Sequence, residues 1–411
     1  MKGLALESEP AEVGMDPARL ARIDRHFRRY VDDGRLSGWQ LVLTRAGKVV
    51  HLSAYGMRDL EAGAPIEPDT LYRIYSMTKP ITSVAAMICY EEGLFELTDP
   101  VSRFIDSFAG VRVFKGGSAV APYTVPVSEP VRIWHLLTHT AGLTYWFHFA
   151  HPVDAMYRAA GFEPGNGPDR DLATCCDSWA GLPLLFEPGT AWNYSVATDV
   201  LGRLIEVASG MALDRFFAER IFEPLEMGDT KFFVEGPDVE RLAALYSPDG
   251  VTGRARLNSE LGQGVLRRPP YLSGGGGLVS SAHDYQRFAE MLRCRGELGG
   301  VRLLGPRTVD YMTANHLPGG VDLARFGTAV DAAAPDFGLG FGLGFGVNVD
   351  PVAAKVLAGK GEYYWGGMAS TTFFVDPGEE LTAVFLTQLL PSGTYPLRSQ
   401  LRQLVYQALV D

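Results

Sequence analysis

The alternation of apolar and polar residues predicts a helix and two strands at the start of the chain. Leu20, Ile23, Phe27 and Tyr30 recur at intervals of three or four residues after Asp16, which has the position of a helix N-cap. The stretch WQLVLTRAGKVVHLSAYG then shows the pattern of a β-hairpin that turns at RAGK. One helix followed by a hairpin is therefore expected in residues 1–70.

The pattern becomes mostly helical from residue 71, and strands return only after residue 296. FGLGFGLGFGVNV alternates glycine with large apolar residues at strand period, and STTFFVDPGEELTAVFLTQL predicts a hairpin that turns at DPGE. YPLRSQLRQLVYQALV predicts a closing helix. We expect an α+β fold, in which an antiparallel sheet from residues 1–70 and 297–411 is flanked by the terminal helices. Residues 71–296 would form an inserted all-α domain.

Composition and charge exclude several classes of protein. The chain has 411 residues, of which 46% are hydrophobic and 21% charged, as in an ordinary soluble globular protein. A net charge of −11 argues against nucleic acid or an anionic membrane as partner. No stretch approaches the roughly 18 uninterrupted apolar residues of a membrane span, and the first residues lack the apolar core of a signal peptide. We therefore predict a cytoplasmic protein.

The cysteines give no sign of a metal site. Cys89, Cys175, Cys176 and Cys294 include no C-x-x-C pair, and no histidine pair lies close to them in the sequence. We expect reduced, packed thiols, no metal and no cofactor.

Three motifs that suggest other chemistry fail on inspection. The glycines of FGLGFGLGFG run at spacing two and give no G-x-G-x-x-G, so we expect a strand whose bare face lets a helix or ligand come close. SGGGGLVSSAHD lacks the G-K-[ST] of a phosphate loop and predicts a tight loop before a helix capped near Ser281. No serine lies in G-x-S-x-G, which excludes the nucleophile elbow of an α/β-hydrolase.

Candidate chemistry lies in IYSMTKPITSVAAMICYEEG. Ser76 and Lys79 are three residues apart at the start of a helical pattern, so both face the same side of the first turn, where Pro80 is tolerated. A lysine amine can accept the proton of a serine nucleophile, and N–H groups at a helix start can stabilise an oxyanion. The same segment also fits a capping serine followed by a solvated lysine, so it does not decide alone.

Two further segments favour catalysis. In EPGTAWNYSVATDVLGRLIEVASG, Tyr194 comes just before a helical run, and a phenol at such a corner can shuttle a proton. In EYYWGGMASTTFFV, Trp365, Gly366 and Gly367 come at the predicted start of a strand, where glycines allow a ligand against the backbone.

These motifs resemble those of the serine β-lactamase/penicillin-binding-protein superfamily, and more narrowly its class C-like esterases, the family VIII carboxylesterases. SMTK, LLTHTAGL, PGTAWNYS, SGGGGLVSSAHD, FGLGFG and WGG occur in that family's order and spacing over nearly the whole chain. The resemblance implies a β-lactamase-like fold with the active site at the interface of its two domains. It also implies hydrolysis of short-chain carboxylic esters through an acyl-enzyme, without a cofactor.

The resemblance assigns roles to individual residues. Ser76 would be the acylated nucleophile, Lys79 its proton acceptor, and Tyr194 the tyrosine of the Y-x-N motif that completes the proton network. Trp365-Gly366-Gly367 would form the substrate-binding segment that is Lys-Thr-Gly in penicillin-recognising relatives. The backbone N–H of Met368 would join that of Ser76 in the oxyanion hole.

Two departures from the family pattern bear on the substrate. Val196 stands where Y-x-N has its asparagine, and Trp365 stands where K-T-G has its lysine. The family uses the first to hydrogen-bond an amide and the second to bind the β-lactam carboxylate. Their replacement by apolar residues predicts a preference for neutral esters, with weak or absent hydrolysis of penicillins.

Other residues near these motifs are expected to shape the pocket. The family uses no catalytic histidine, so His139 in LLTHTAGL is predicted to be packed and hydrogen-bonded. Cys175 and Cys176 lie in a loop-rich stretch, residues 144–189, that we expect to border the pocket. The aromatics of YWFHFAHP would line an acyl or alcohol pocket or serve as ordinary core.

Several alternatives stay open at this level. A β-lactamase or D-amino-acid peptidase, and an acyltransferase to an alcohol or amine, would use the same residues. A non-catalytic member that binds a ligand is a rival from another class, although a complete Ser/Lys/Tyr set argues against it. The expected partner is a small-molecule ester, and the sequence fixes neither that ester nor the oligomeric state.

Overall fold

An antiparallel sheet of eight strands organises the molecule. The computed structural model describes residues 3–163, 169–327 and 337–410. In spatial order the strands are Leu339–Phe341, Gly346–Asn348, Tyr363–Gly366, Thr372–Asp376, Leu381–Leu386, Gly38–Arg45, Lys48–Asp59 and Ala64–Pro65. The N-terminal and C-terminal parts meet inside the sheet, where Val42 pairs with Val384. The predicted α+β fold with one antiparallel sheet built from both ends of the chain is confirmed.

The α-helices lie mostly between the two groups of strands. They span Pro17–Asp32, Thr78–Glu91, Ile133–Leu137, Pro152–Ala159, Leu172–Ala180, Ala197–Ser209, Leu213–Phe217, Asp238–Arg241, Ala282–Arg293, Pro306–Met312, Leu323–Phe326, Pro351–Ala354 and Leu397–Tyr406. As predicted, Asp16 caps the first helix by accepting from the backbone N–H groups of Ala18 and Arg19.

The sheet is buried on both faces because its strands alternate apolar side chains between two cores. Phe385 points to the core under the terminal helices, where its ring lies 4.8 Å from that of Phe27. The neighbouring residue Val384 belongs to the core on the other face, together with Phe288 of the helix Ala282–Arg293. Since this helix comes from the inserted part and packs on the sheet, the domain boundary near residue 296 stays a prediction.

The inserted part contains strands that the helical pattern did not predict. Two hairpins lie within it, Arg112–Gly117 with Pro122–Pro126 and Tyr246–Pro248 with Ala255–Leu257. The expectation of an all-α insertion is therefore wrong in detail. Both hairpins are short and lie outside the main sheet, so they do not alter its topology.

The segment FGLGFGLGFGVNV forms two short strands, Leu339–Phe341 and Gly346–Asn348, where one strand was predicted. The chain reverses between them, and Gly344 has a φ of +94°, a conformation that favours glycine. A Cβ there would overlap the Ser83 hydroxyl of the helix Thr78–Glu91. The prediction that a glycine of this segment allows a helix to pack closely against it is confirmed at this turn.

The remaining structural predictions have mixed outcomes. Ser281 caps the helix Ala282–Arg293 as expected, accepting from the N–H of Asp284. All four cysteines are reduced, but Cys294 is exposed, so packing describes only the other three. Burial raises the pKa of the Cys89 and Cys175 thiols to about 12, which keeps them protonated.

No helix within residues 3–163, 169–327 and 337–410 is long and apolar enough to cross a membrane. The same ranges contain no group of three or more His, Cys, Asp or Glu side chains that could hold a metal ion.

Candidate active site

Ser76 lies in a tight turn directly before a buried helix. The turn spans Tyr75–Met77, and the helix begins at Thr78 and runs to Glu91. Tyr75 has a φ of +44°, which is uncommon for a residue with a side chain, and such backbone strain clusters at functional sites. Lys79 follows one turn later and is only 1% exposed. The alternative of a solvated lysine is therefore wrong.

The structure brings Ser76, Lys79 and Tyr194 together. The Tyr194 hydroxyl donates to Ser76 Oγ over 2.7 Å, and Lys79 Nζ donates to the same oxygen over 3.2 Å. Lys79 Nζ also lies 4.6 Å from the centre of the Tyr194 ring. Ser76 Oγ thus has an amine and a phenol as direct neighbours, the arrangement that an activated serine needs.

A glycine loop closes the site on the far side of Lys79. Lys79 Nζ donates to the carbonyl oxygen of Gly275 over 2.6 Å. The Thr82 hydroxyl donates to the Gly274 carbonyl over 2.7 Å, and the Gly275 N–H donates to Asp199 Oδ1 over 2.9 Å. A Cβ on Gly275 would lie 2.5 Å from Asp199 Oδ2, so a larger residue here would displace that carboxylate.

Sequence reasoning predicted this loop but missed its role. The run SGGGG indicated a tight turn, yet nothing in it marked Gly275 as a partner of Lys79 or Asp199 as its support. The signal that was available is the buried-face position of Asp199 in the first turn of the helix Ala197–Ser209, where an acid needs a partner.

Tyr194 is fixed by a cluster of rings at the corner before that helix. Its ring centre lies 5.0 Å from that of His139, 5.1 Å from that of Tyr145 and 5.5 Å from that of Trp365. Trp192 stacks on it at 6.3 Å. Because neighbours on several sides restrict the ring, the phenol oxygen is held toward Ser76.

His139 takes the packed position that the sequence predicted. Its Nδ1 forms a 3.2 Å hydrogen bond with Ser195 Oγ, and the residue is 1% exposed. Burial, followed by the positive charge of Lys79, holds the pKa of His139 well below its ordinary value of 6.5. A neutral imidazole behind Tyr194 supports the ring without adding a second cation beside Lys79.

The segment Trp365-Gly366-Gly367 lies at the end of the strand Tyr363–Gly366, whereas the start of a strand was predicted. The spaces left by the two glycines are filled by protein. A Cβ on Gly366 would overlap the Arg398 guanidinium, and one on Gly367 would overlap the Ile74 carbonyl beside the catalytic turn. The glycines therefore bring this strand against the segment that carries Ser76. Both also line the cavity in front of Ser76, so their role in substrate binding stays a prediction.

Arg398 is a cavity residue that sequence reasoning missed. It comes from the closing helix Leu397–Tyr406, and its Nη2 donates to the carbonyl of Gly367 over 2.9 Å. No local pattern marks it, because the contact joins two segments that are distant in sequence. The cavity wall at Trp365 is thus less uniformly apolar than the loss of the K-T-G lysine suggested.

The expected oxyanion hole has the right neighbours. Ser76 and Met368 line the same cavity, and Met368 is 37% exposed. Neither backbone N–H donates to an acceptor among the described residues. Both groups are therefore available to a ligand oxygen, and their joint role stays a prediction.

The cavity in front of Ser76 has a volume of about 740 Å³. Its wall is mainly aromatic and apolar, with Asp199, Glu163 and Arg398 as the charged exceptions. The aromatic and apolar side chains are Tyr75, Tyr145, Trp146, Phe147, Tyr157, Phe162, Trp179, Tyr194, Val196, Tyr271, Leu323, Tyr364, Trp365, Met368 and Pro391.

The stretch 144–189 borders this cavity as predicted, although it is less loop-like than expected. It contains the helices Pro152–Ala159 and Leu172–Ala180. Cys175 and Cys176 lie on the second helix and are fully buried, while Trp179 of the same helix reaches the cavity. The YWF of YWFHFAHP also lines it, which favours the pocket interpretation of that segment.

Comparison with known proteins agrees with this geometry. A family model described as Beta-lactamase matches residues 23–407. Protein Rv1367c of Mycobacterium tuberculosis is 35% identical over 370 residues, which are 89% of this chain and 89% of that protein. Esterase EstB of Burkholderia gladioli is 33% identical over 424 residues, covering 98% of this chain and 99% of that protein.

A solved structure is similar over almost the same range. EstCE1, described as a hydrolase with promiscuous acyltransferase activity, is 29% identical and has a TM-score of 0.80, covering 95% of this chain and 99% of that chain. Sequence, fold and site thus agree over nearly the full length. The chain belongs to the beta-lactamase family and, within it, to the family VIII esterase-like members that its motifs resemble.

Proposed function

We propose that this protein is a serine carboxylesterase that cleaves small neutral esters through an acyl-enzyme on Ser76. The observation that carries the proposal is the pair of hydrogen bonds that Ser76 Oγ accepts from Tyr194 and Lys79 at the wall of a largely aromatic cavity. The esterase and hydrolase activities named for EstB and EstCE1 support it.

Each residue would have a defined part in the reaction. Ser76 Oγ attacks the ester carbonyl carbon while its proton passes to the Lys79 amine, with the Tyr194 phenol in the same network. The N–H groups of Ser76 and Met368 stabilise the oxyanion. The proton then goes to the leaving alkoxide, and the alcohol departs. Water attacks the acyl-enzyme along the reverse path, which releases the acid and restores Ser76.

The pocket favours neutral substrates that are larger than the shortest esters. Val196 and Trp365 place apolar surface where penicillin-recognising relatives have polar groups. A volume of about 740 Å³ lies in the range of pockets that bind drug-sized ligands. Short-chain aryl esters would be accepted as probes, with room left for a bulkier acyl or alcohol group.

Acyl transfer to an alcohol is a second candidate. EstCE1 is described as having this activity beside hydrolysis, and the cavity leaves space for an acceptor next to the acyl group. Adding a primary alcohol to an ester assay and measuring the ratio of new ester to free acid separates the two reactions. Location in the cytoplasm also stays a proposal. The acidic net charge supports the expectation of no nucleic-acid or anionic-membrane partner.

The decisive experiment is covalent trapping at Ser76. With 4-nitrophenyl butyrate we expect a burst of 4-nitrophenol and an acyl mass adduct on the peptide that contains Ser76. Ser76→Ala should abolish both while the circular dichroism spectrum is retained. Ser83→Ala is the matched control, because Ser83 lies buried on the same helix and belongs to no part of the proposed machinery. Ester turnover by Ser76→Ala at the wild-type rate would refute the proposal.

A further inference from the structure

We infer that Asp199 is a positioning residue for Lys79, acting through the glycine loop at residues 273–277. The inference rests on the proposed role of Lys79 as proton acceptor. Asp199 forms no hydrogen bond with Lys79 itself, and its effect passes through one intervening residue, Gly275.

The first step concerns what holds the lysine nitrogen. Among the described residues, Lys79 Nζ donates only to Ser76 Oγ and to the Gly275 carbonyl, and the second bond is the shorter, at 2.6 Å against 3.2 Å. The rings of Tyr145 and Tyr194 lie beside the nitrogen at 5.3 Å and 4.6 Å. Gly275 therefore supplies the strong directional anchor of a side chain that has four rotatable bonds.

The second step concerns direction. A neutral amine has two N–H groups and one lone pair, and only the lone pair can accept the proton of Ser76. A carbonyl oxygen can only accept a hydrogen bond, so Gly275 engages an N–H of Lys79. When the amine is neutral, its lone pair can then face Ser76 Oγ in place of the N–H that now donates there. The position of one carbonyl oxygen thus sets whether Lys79 is aligned as a base.

The third step concerns what holds Gly275. Asp199 is 2% exposed, and its Oδ1 accepts from the Gly275 N–H over 2.9 Å and from the Ser273 hydroxyl over 2.6 Å. Asp199 Oδ2 occupies the space that a Cβ of Gly275 would need. The carboxylate therefore holds the same residue whose carbonyl fixes Lys79.

The loop has other anchors, which makes the role of Asp199 local. Thr82 holds the Gly274 carbonyl, and the N–H of Leu278 donates to the Thr78 hydroxyl over 3.2 Å. These bonds keep the loop on the helix that carries Lys79. The Thr82 bond also holds the peptide group between Gly274 and Gly275, whose N–H donates to Asp199, so Thr82 and Asp199 fix that group together. A buried carboxylate is costly to desolvate, and its retention here is explained by the alignment of Lys79.

Two substitutions of Asp199 separate position from charge. Asp199→Asn keeps an oxygen that accepts both bonds of Oδ1, so we expect at least about one third of the wild-type kcat. Asp199→Ala releases Gly275, and a misplacement of this kind lowers kcat by about 100-fold. Asp199 also lines the cavity, so KM for 4-nitrophenyl butyrate is measured beside kcat, and a positioning role predicts a KM change of less than about threefold in both variants.

Controls keep the result interpretable. Ser83→Ala changes the helix that carries Lys79 without removing a bond to the glycine loop among the described residues, so kcat should stay within about threefold of wild type. Gly275→Ala displaces Asp199 while keeping its charge, so it should reproduce the kcat loss if Asp199→Ala fails to fold. Rates are referred to active sites titrated with a small fluorophosphonate that labels Ser76.

The outcomes distinguish this inference from the proposed function. Failure of the wild-type protein to label at Ser76 would refute the proposed esterase. Normal wild-type labelling, with kcat of Asp199→Ala and Gly275→Ala within about threefold of wild type, would refute only the role of Asp199. Equal losses in Asp199→Asn and Asp199→Ala would also refute it, because charge and not position would then be the cause.

Discussion

Lys79 and Arg402 are both buried basic side chains, and their surroundings differ. Lys79 is 1% exposed, and its hydrogen bonds go to a hydroxyl and a backbone carbonyl, with no ion pair to a carboxylate of the described residues. Arg402, on the helix that closes the sheet, is 7% exposed and bonds Glu362 over 2.7 Å. Glu362 has no exposed surface and also accepts from the Tyr406 hydroxyl.

This difference separates a chemical role from a structural one. A carboxylate in direct contact stabilises the charged form of a base and holds its proton in place. Arg402 and Glu362 form such an ion pair, and neither is a group that must gain or lose a proton during the proposed reaction. Neutral acceptors position Lys79 without adding a full negative charge, which suits a residue that must take up a proton and return it.

Removing Lys79 and Tyr194 should give the largest effect. We expect Lys79→Met and Tyr194→Phe each to lower kcat for a short-chain ester by several orders of magnitude, because each breaks one network around Ser76 Oγ. The double variant should lose about as much as either single one, since the two act as a unit. Steady-state kinetics on titrated enzyme measures this, and multiplicative losses would mean that one of the two residues only packs.

Breaking the ion pair between Arg402 and Glu362 should lower the free energy of unfolding and leave kcat for the ester unchanged. Arg402→Met leaves Glu362 buried without its partner, and loss of one member of such a pair costs about 3–5 kcal/mol of unfolding free energy. Arg402→Met combined with Glu362→Gln should recover most of that loss, because no unpaired charge remains. Urea unfolding measures both, with kcat per folded molecule expected near the wild-type value.

Lys79→Met is the matched test of the comparison. Lys79→Met leaves no buried carboxylate without its ion-pair partner among the described residues. The unfolding free energy should therefore fall by much less in Lys79→Met than in Arg402→Met. Equal destabilisation by the two substitutions would contradict the distinction drawn between Lys79, which has neutral partners, and Arg402, which has an ion-pair partner.

A third cation can be placed in the cavity at Trp365. A charge-assisted hydrogen bond is worth about 1.5–3 kcal/mol, or about one to two orders of magnitude in kcat/KM. Trp365→Lys should therefore raise the penicillin-to-ester ratio of kcat/KM by about 10–100-fold, with Trp365→Phe as the apolar control. In the wild-type protein, ester turnover should exceed penicillin turnover. The opposite result would mean that Arg398 already serves a substrate carboxylate.

Local patterns were sufficient to predict the helices and hairpins with strong periodicity. The hairpin of Gly38–Arg45 with Lys48–Asp59 and the closing helix Leu397–Tyr406 appear where apolar spacing placed them, because their burial follows from their own sequence. The hairpin Arg112–Gly117 with Pro122–Pro126 was missed. Its exposed, mixed residues leave little alternation to detect.

The candidate site divides in the same way. Ser76 and Lys79 are neighbours on one helical turn, so spacing alone placed them together, and the resemblance to a known family supplied Tyr194. Gly275 lies in a loop and Asp199 on a helix, and the two residues are 76 positions apart in the sequence. No local pattern therefore predicts the hydrogen bond between them. The backbone and support residues of the site therefore needed the structure.

The smallest expected effect, counted per pH unit, concerns a buried histidine in the same inserted part as Lys79. His135 is 3% exposed, and its Nδ1 accepts from the N–H of Arg132 over 2.9 Å at the start of the helix Ile133–Leu137. Burial, followed by the charge of Arg132, lowers the pKa of His135 from 6.5 to about 4. Protonation of the imidazole is thus disfavoured in the folded protein.

This shift predicts a loss of stability in acid that His135→Asn should reduce. Between pH 6.5 and 4 the unfolded chain binds a proton at His135 and the folded chain does not, so stability is present above pH 6.5 and falls as pH decreases. The wild-type protein should lose about 1.4 kcal/mol per pH unit more than His135→Asn across this window. Asparagine still offers an oxygen to the Arg132 N–H, whereas His135→Leu, as control, lacks that acceptor and also lacks a titrating group. Urea unfolding at intervals of pH measures the difference, and parallel curves for wild type and His135→Asn would show that this histidine does not contribute to acid sensitivity.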